Sequence, residues 1–90
     1  MNDLDLLDLN NLRNKINEID DNIVEFLLER FAVVKDVAEY KKANGLEILQ
    51  KNREEEVLQN ISDKIGDREC KEYILYIYQS ILETSKKSQI

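Results

Sequence analysis

The sequence predicts an all-α fold in which each chain contributes three helices, the first of them unusually long. Proline is absent from the 90 residues and glycine occurs only twice, so little in the composition interrupts a helix. Apolar residues recur at steps of three and four through most of the chain, which is the spacing of one helical face. The length and the 42% hydrophobic content allow a single domain over residues 1–90 with a small core.

The first helix is predicted from about residue 8 to residue 42, where Asn44 and Gly45 follow as a stop signal. Two cations, Arg30 and Lys41, interrupt its apolar stripe, which consists of Leu9, Leu12, Ile16, Ile19, Ile23, Phe26, Val33 and Val37. A helix of ~35 residues is ~50 Å long, whereas a compact chain of this size has a radius of gyration near ~12 Å. The stripe therefore predicts a second copy of the chain that covers it, in a two-fold dimer.

The second helix is predicted over about residues 50–65 and the third over about residues 67–89, with short connections. Asn52 and Glu55 have the spacing of a capping box at the start of the second helix, and Gly66 follows its end. Asp67 is expected to cap the third helix. The apolar face of that helix is predicted to contain Ile74, Ile77, Tyr78, Ile81 and Leu82.

Polar side chains lie in line with the apolar face of every predicted helix. They are Arg30 and Lys41 on the first helix, flanked by Arg13, then Arg53 or Glu54 on the second, and Ser85 and Gln89 on the third. Because burying a cation is costly unless an anion pairs with it, a mostly cationic pocket for an anion is the simplest explanation. Each residue taken singly also has a structural alternative, such as an arginine stem that lies along the core or a lysine at a helix end.

Composition excludes several classes of function. Histidine is absent and Cys70 is the one cysteine, so we expect no internal disulfide, no metal site and no cofactor. A net charge of −6 argues against binding to nucleic acid or to an anionic membrane surface. No apolar run reaches the ~18–20 residues of a membrane span, and the acidic first residues lack the basic region of a signal peptide. We therefore expect a cytoplasmic protein, whose catalysis, if any, depends on positioning and electrostatics.

Short motifs occur in order along the three helices. They are Leu12-Arg13-x-x-Ile16-x-x-Ile19-Asp20, Leu27-Leu28-x-Arg30, Val37-Ala38-x-x-Lys41, Arg53-Glu54, and Tyr78-Gln79 followed by Glu83-x-Ser85-x-x-x-Gln89. Together, over residues 9–89, they resemble the all-helical class of chorismate mutases. The resemblance implies an intertwined homodimeric helical bundle with active sites shared between the chains. It also implies a Claisen rearrangement of chorismate to prephenate on the route to phenylalanine and tyrosine, without covalent catalysis.

The resemblance further implies a role for each polar residue in holding a small dicarboxylate. Arg30 and Lys41 of one chain and Arg13 of the other would bind its carboxylates, which suits the bidentate geometry of guanidinium groups. Lys41 with Gln89 would donate hydrogen bonds to the ether oxygen as its bond breaks.

Supporting roles fall to four other residues. Arg53 would add positive field, Glu54 would accept a hydrogen bond from the ring hydroxyl, and Ser85 would contact a carboxylate. The sequence departs from the family pattern at Gln50, where an aspartate is expected. Gln50 can still form hydrogen bonds, but it supplies no carboxylate.

Two other functions remain open at this point. The first is an isochorismate-pyruvate lyase, which resembles the mutases in fold and pocket; the presence of Glu54 and Gln89 favours the mutase. The second is a non-catalytic helical module for dimerisation or metabolite sensing. The retained cations argue against it, because a purely structural dimer would be more stable with apolar residues in their place.

Overall fold

The computed structural model describes residues 8–48 and 51–90, apart from the side chain of residue 51, and is helical in three segments. These are α1 (Leu9–Ala43), α2 (Lys51–Ile65) and α3 (Lys71–Gln89), and the described residues contain no strand. The predicted all-α class with three helices per chain is confirmed. The chain divides into two compact units, residues 1–32 and 33–90. The first contains the N-terminal part of α1, and the second contains the rest of α1 together with α2 and α3; a single domain over residues 1–90 stays a prediction.

Helix α1 has a defined cap at each end. The Asp8 side chain accepts a hydrogen bond of 2.9 Å from the backbone N–H of Asn11, which is the geometry of an N-cap. At the other end Gly45 has a φ of +66°, and the backbone N–H of Leu46 donates to the carbonyl of Lys41 at 2.8 Å. This pair of features is a Schellman motif. The predicted stop at Asn44 and Gly45 is therefore confirmed, and α1 is displaced from its predicted bounds by one residue.

The two later helix starts differ from the sequence prediction. Helix α2 begins at Lys51, so Asn52 lies inside the helix rather than at its cap. Helix α3 begins at Lys71, four residues after Asp67, and Cys70 occupies its N-cap position without a side-chain hydrogen bond. The prediction that Asp67 caps α3 is wrong because Gly66, with a φ of +65°, reverses the chain immediately before it. The residues that follow form a turn in which Lys71 N–H donates to the carbonyl of Arg68 at 3.1 Å.

Helices α2 and α3 pack against each other. Ile65 of α2 and Leu82 of α3 are buried at this contact, and Val57, Leu58, Ile61, Ile74, Tyr78 and Ile81 are half-buried along the same two faces. The prediction that Ile77 belongs to this face is wrong, because Ile77 is 56% exposed. The buried face of α3 follows Tyr78, Leu82 and Ser85, and that path leaves Ile77 on the exposed side with two tyrosines, Tyr73 and Tyr76.

The apolar stripe of α1 is exposed in the single chain. The exposed fractions of its eight side chains range from 37% at Leu12 to 69% at Phe26. Ala38 is the buried residue of α1. Monomeric proteins rarely expose a contiguous apolar patch of more than a few hundred Å². The stripe is thus an exposed apolar surface that extends along α1 from Leu9 to Val37.

The contrast between Leu82 and Ile77 gives a stability test of the helix pair. We expect Leu82→Ala to lower the free energy of unfolding by ~2–5 kcal/mol, because it leaves a cavity between α2 and α3. Ile77→Ala removes a side chain of similar size from an exposed position and should cost clearly less. Urea unfolding of both variants at one protein concentration measures the difference. Equal losses would contradict the observed orientation of α3.

Candidate active site

Three of the predicted site residues lie on the faces with which α2 and α3 approach each other. Glu54 is on the first turn of α2, and Ser85 and Gln89 are one turn apart near the end of α3. Ser85 is only 4% exposed and is the buried polar residue of the described chain, while Glu54 and Gln89 are half-buried. The packing of two short helices thus brings predicted polar residues to one end of the α2 and α3 pair.

An ion pair joins the two helices at this end. The ammonium group of Lys86 lies 2.7 Å from Oε1 of Glu54, and both side chains are about one-third exposed (32% and 31%). Lys86 also contacts Oε1 of Glu83, three residues earlier on α3, at 3.2 Å. Sequence reasoning missed Lys86. Its position between Ser85 and Gln89 could have indicated that it lies on the same side of α3. Its partner Glu54 could not be identified from the sequence, because that contact depends on how α2 is rotated about its axis.

The side chains of Ser85 and Gln89 are held by the backbone of α3. The Ser85 hydroxyl donates to the carbonyl of Ile81 at 2.7 Å, and Nε2 of Gln89 donates to the carbonyl of Ser85 at 3.4 Å. Oε1 of Gln89 is buried and accepts no hydrogen bond within the described part of the chain. A buried polar atom without a partner costs ~1–3 kcal/mol. This oxygen therefore favours a ligand group that donates a hydrogen bond to it.

Lys41 is connected to the segment that follows α1. Its ammonium group donates to the backbone carbonyl of Ile48 at 2.7 Å, and both residues are half-buried. An ammonium group has three N–H donors, so this bond leaves donors for a ligand. The contact fixes the direction of the lysine side chain at the C-terminal end of α1. Lys41 thus has a hydrogen-bond partner within the chain, the carbonyl of Ile48, in addition to its predicted role in substrate binding.

The arginines have different surroundings. Arg13 is exposed and Arg30 is half-buried on the N-terminal part of α1. Arg53 is exposed and pairs with Glu56 one turn further along α2, at 2.7 Å and with both side chains 62% exposed. A surface pair of this kind contributes ~0.2–1 kcal/mol, so it can be exchanged for another anion at little cost. Gln50 lies outside the described residues, and its role stays a prediction.

Residues 8–48 and 51–90 contain neither a cluster of metal-binding side chains nor a helix that could span a membrane. No group of three or more His, Cys, Asp or Glu side chains is placed to hold a metal ion. Among the same residues, no helix combines the length and the apolar character needed to cross a membrane. Cys70 is an exposed free cysteine.

Comparison with known proteins gives two matches. A family model described as chorismate mutase type II matches residues 12–90. A curated chorismate mutase from Methanocaldococcus jannaschii is 34% identical over 79 residues, which cover 87% of this chain and 80% of the relative. No solved structure matches the chain at a comparable level of significance.

The bond between Lys41 and Ile48 makes a prediction about stability. We expect Lys41→Met to lower the free energy of unfolding by ~1–2 kcal/mol, because a half-buried carbonyl loses a charged donor. The matched control is Lys42→Met, which removes the same charge from an exposed neighbour and should change stability by less than ~0.5 kcal/mol. Urea unfolding measures both. A Lys41→Met variant as stable as the control would contradict the contribution of this contact.

Proposed function

We propose that this chain, which belongs to the chorismate mutase type II family and is a chorismate mutase, builds each of its active sites from two copies of itself. The observation that carries the proposal is the exposed apolar stripe of α1. A second copy, placed with its own stripe against the first, would cover both surfaces in one symmetric contact. Arg30 and Lys41 lie on that stripe, and a covered cation needs an anionic partner. A bound dicarboxylate supplies one.

The reaction itself needs no group transfer. Chorismate rearranges to prephenate within one molecule: a carbon–carbon bond forms while the carbon–oxygen bond of the ether breaks, and no atom enters or leaves. In this family the reaction is a step in the biosynthesis of phenylalanine and tyrosine. Negative charge grows on the ether oxygen as its bond breaks, so the enzyme accelerates the reaction by placing donors at that oxygen and by holding the substrate in a reactive conformation. We expect no cofactor for this chemistry.

The distance along α1 decides which arginines can share a substrate. Arg13 and Arg30 are both on α1 and are seventeen positions apart, a rise of ~25 Å at 1.5 Å per residue. Two arginine side chains cannot close that distance around one small molecule. Arg30 and Lys41 are eleven positions apart at nearly the same angular position, and long side chains that lean toward each other can converge. Arg13 therefore enters the site from the other copy.

The α2 and α3 pair supplies the neutral and acidic part of the site. Gln89, with Lys41, donates to the ether oxygen; removing one such donor costs ~2.7–4 kcal/mol of transition-state stabilisation. Glu54 accepts a hydrogen bond from the ring hydroxyl. The Ser85 hydroxyl turns from its helical carbonyl toward a substrate carboxylate. The support for these roles is that Glu54, Ser85 and Gln89 lie on the facing sides of the two helices.

Arg53 and Gln50 have secondary roles in the proposed site. The Arg53 guanidinium has a surface partner, Glu56, and we propose that it contributes positive field after it leaves that partner. Gln50 would contribute a hydrogen bond at most.

Of the two alternatives to mutase activity, neither the lyase nor a non-catalytic module agrees with the family and the relative, which are both chorismate mutases. A cytoplasmic location stays a prediction from the sequence.

A subunit-mixing experiment tests the shared site. We expect Arg13→Ala and Arg30→Ala to be nearly inactive as separate homodimers, with prephenate formation from chorismate as the assay. A heterodimer of the two variants contains one intact site and one doubly defective site. After equal mixing and subunit exchange, about half of the dimers are heterodimers, so activity should return to about a quarter of wild type.

The matched control for the mixing experiment is the pair Arg30→Ala and Lys41→Ala. Both residues are assigned to the same chain at each site, so no heterodimer of these two variants has an intact site, and activity should stay near zero. Subunit exchange is established independently by mass spectrometry of native dimers. If the first pair exchanges subunits and stays as inactive as its parents, the shared active site is wrong.

Substitution of Gln89 tests the donor to the ether oxygen. The variant Gln89→Glu has a carboxylate that cannot donate a hydrogen bond when ionised and can donate when protonated. Its activity should therefore be low at neutral pH and should rise as the pH falls, whereas the wild-type glutamine does not titrate. The control Gln79→Glu changes an exposed amide of the same helix and should keep the wild-type profile. A Gln89→Glu enzyme with an unchanged pH profile would show that this residue does not contact the reacting atom.

A further inference from the structure

We infer that Lys86 is a positioning residue that holds Glu54 in the orientation in which it accepts the substrate hydroxyl. The inference rests on the proposed role of Glu54 and extends it to a residue that the sequence motifs did not single out. Lys86 lies on α3 next to Ser85 and three residues before Gln89, and it reaches across to α2. It is thus a cation within the cluster of proposed site residues.

The geometry restrains the Glu54 carboxylate on one side. Oε1 of Glu54 lies 2.7 Å from the Lys86 ammonium group, a distance typical of a charge-assisted hydrogen bond. A carboxylate has about four acceptor positions on its two oxygens, so this bond leaves capacity for a hydroxyl donor. Glu54 is also half-buried, and the contact with Lys86 restrains the rotation of its side chain. Lys86 therefore selects one orientation of the acceptor before the substrate arrives.

The surroundings of Lys86 argue for an indirect role rather than direct contact with the substrate. Its ammonium group is shared between two carboxylates, Glu54 at 2.7 Å and Glu83 at 3.2 Å. Two anions on one ammonium group satisfy its charge, so it has little remaining attraction for a third. The pair has a second effect. A half-buried carboxylate repels a dicarboxylate substrate, and a cation at 2.7 Å lowers that repulsion.

The proposed role of Lys86 predicts which kinetic constant changes most when the ion pair is lost. The ring hydroxyl is present in the ground state and in the transition state, so its hydrogen bond contributes to binding in both. Loss of the correct Glu54 orientation should then raise KM more than it lowers kcat.

The test compares Lys86→Met, Lys86→Arg and Lys87→Met in the full-length dimer, with chorismate as the substrate. Lys86→Met keeps an unbranched stem and removes the charge; we expect kcat/KM to fall about tenfold, mainly through KM. Lys86→Arg should stay within about threefold of wild type, because arginine also pairs with a carboxylate. Lys87→Met removes the same charge from an exposed neighbour and should stay within about twofold of wild type.

The same change in a Glu54→Gln background separates indirect from direct action. If Lys86 acts through Glu54, then Lys86→Met should cost less than about twofold once the carboxylate is gone. A full tenfold loss in that background would show direct contact with the substrate and overturn the inference, as would a Lys86→Met enzyme with wild-type kinetics. If Lys86→Met does not fold, Lys86→Gln is measured in its place. Failure of the shared site would instead appear in the mixing of Arg13→Ala with Arg30→Ala, which does not involve Lys86.

Discussion

The apolar stripe of α1 is exposed and is interrupted by two cations, Arg30 and Lys41, and the proposed function depends on this combination. Apolar surface of this extent favours association, whereas a cation on the same surface opposes it unless an anion is bound there. A second copy together with a dicarboxylate substrate meets both conditions. In the proposed dimer the same contact that covers the stripe also brings Arg13 of one copy toward Arg30 and Lys41 of the other. In the proposed dimer, association and substrate binding thus depend on the same surface.

The α2 and α3 pair has the opposite character. Its apolar contact is modest, with Ile65 and Leu82 as the buried side chains, and polar groups are concentrated at one end. The groups are a hydrogen-bonded hydroxyl on Ser85, a half-buried ion pair between the helices, and the amide oxygen of Gln89, which is buried without a partner and lowers stability. A polar pocket between the two helices would explain why these groups lie on the facing sides in place of apolar residues. We propose that these polar groups line one side of the substrate site.

The sequence predicted the helices better than it predicted their caps and their contacts. Helix α1 was located to within one residue because its apolar period is long and Gly45 gives a clear end. Neither Asp67 nor Asn52 caps a helix as the sequence predicts, because Asp67 lies in the turn that begins at Gly66 and α2 already begins at Lys51. The contact between Lys86 and Glu54 depends on the relative rotation of two helices, and that between Lys41 and Ile48 on the path of a connection. Neither quantity is encoded in residue spacing.

We propose that the active molecule is a dimer formed through the α1 stripe. Sedimentation equilibrium combined with the chorismate assay over the same range of dilution tests it most directly. We expect a mass of twice 10.6 kDa at assay concentrations, and a loss of specific activity at the dilution where the dimer dissociates. A species of 10.6 kDa that keeps full specific activity would contradict it.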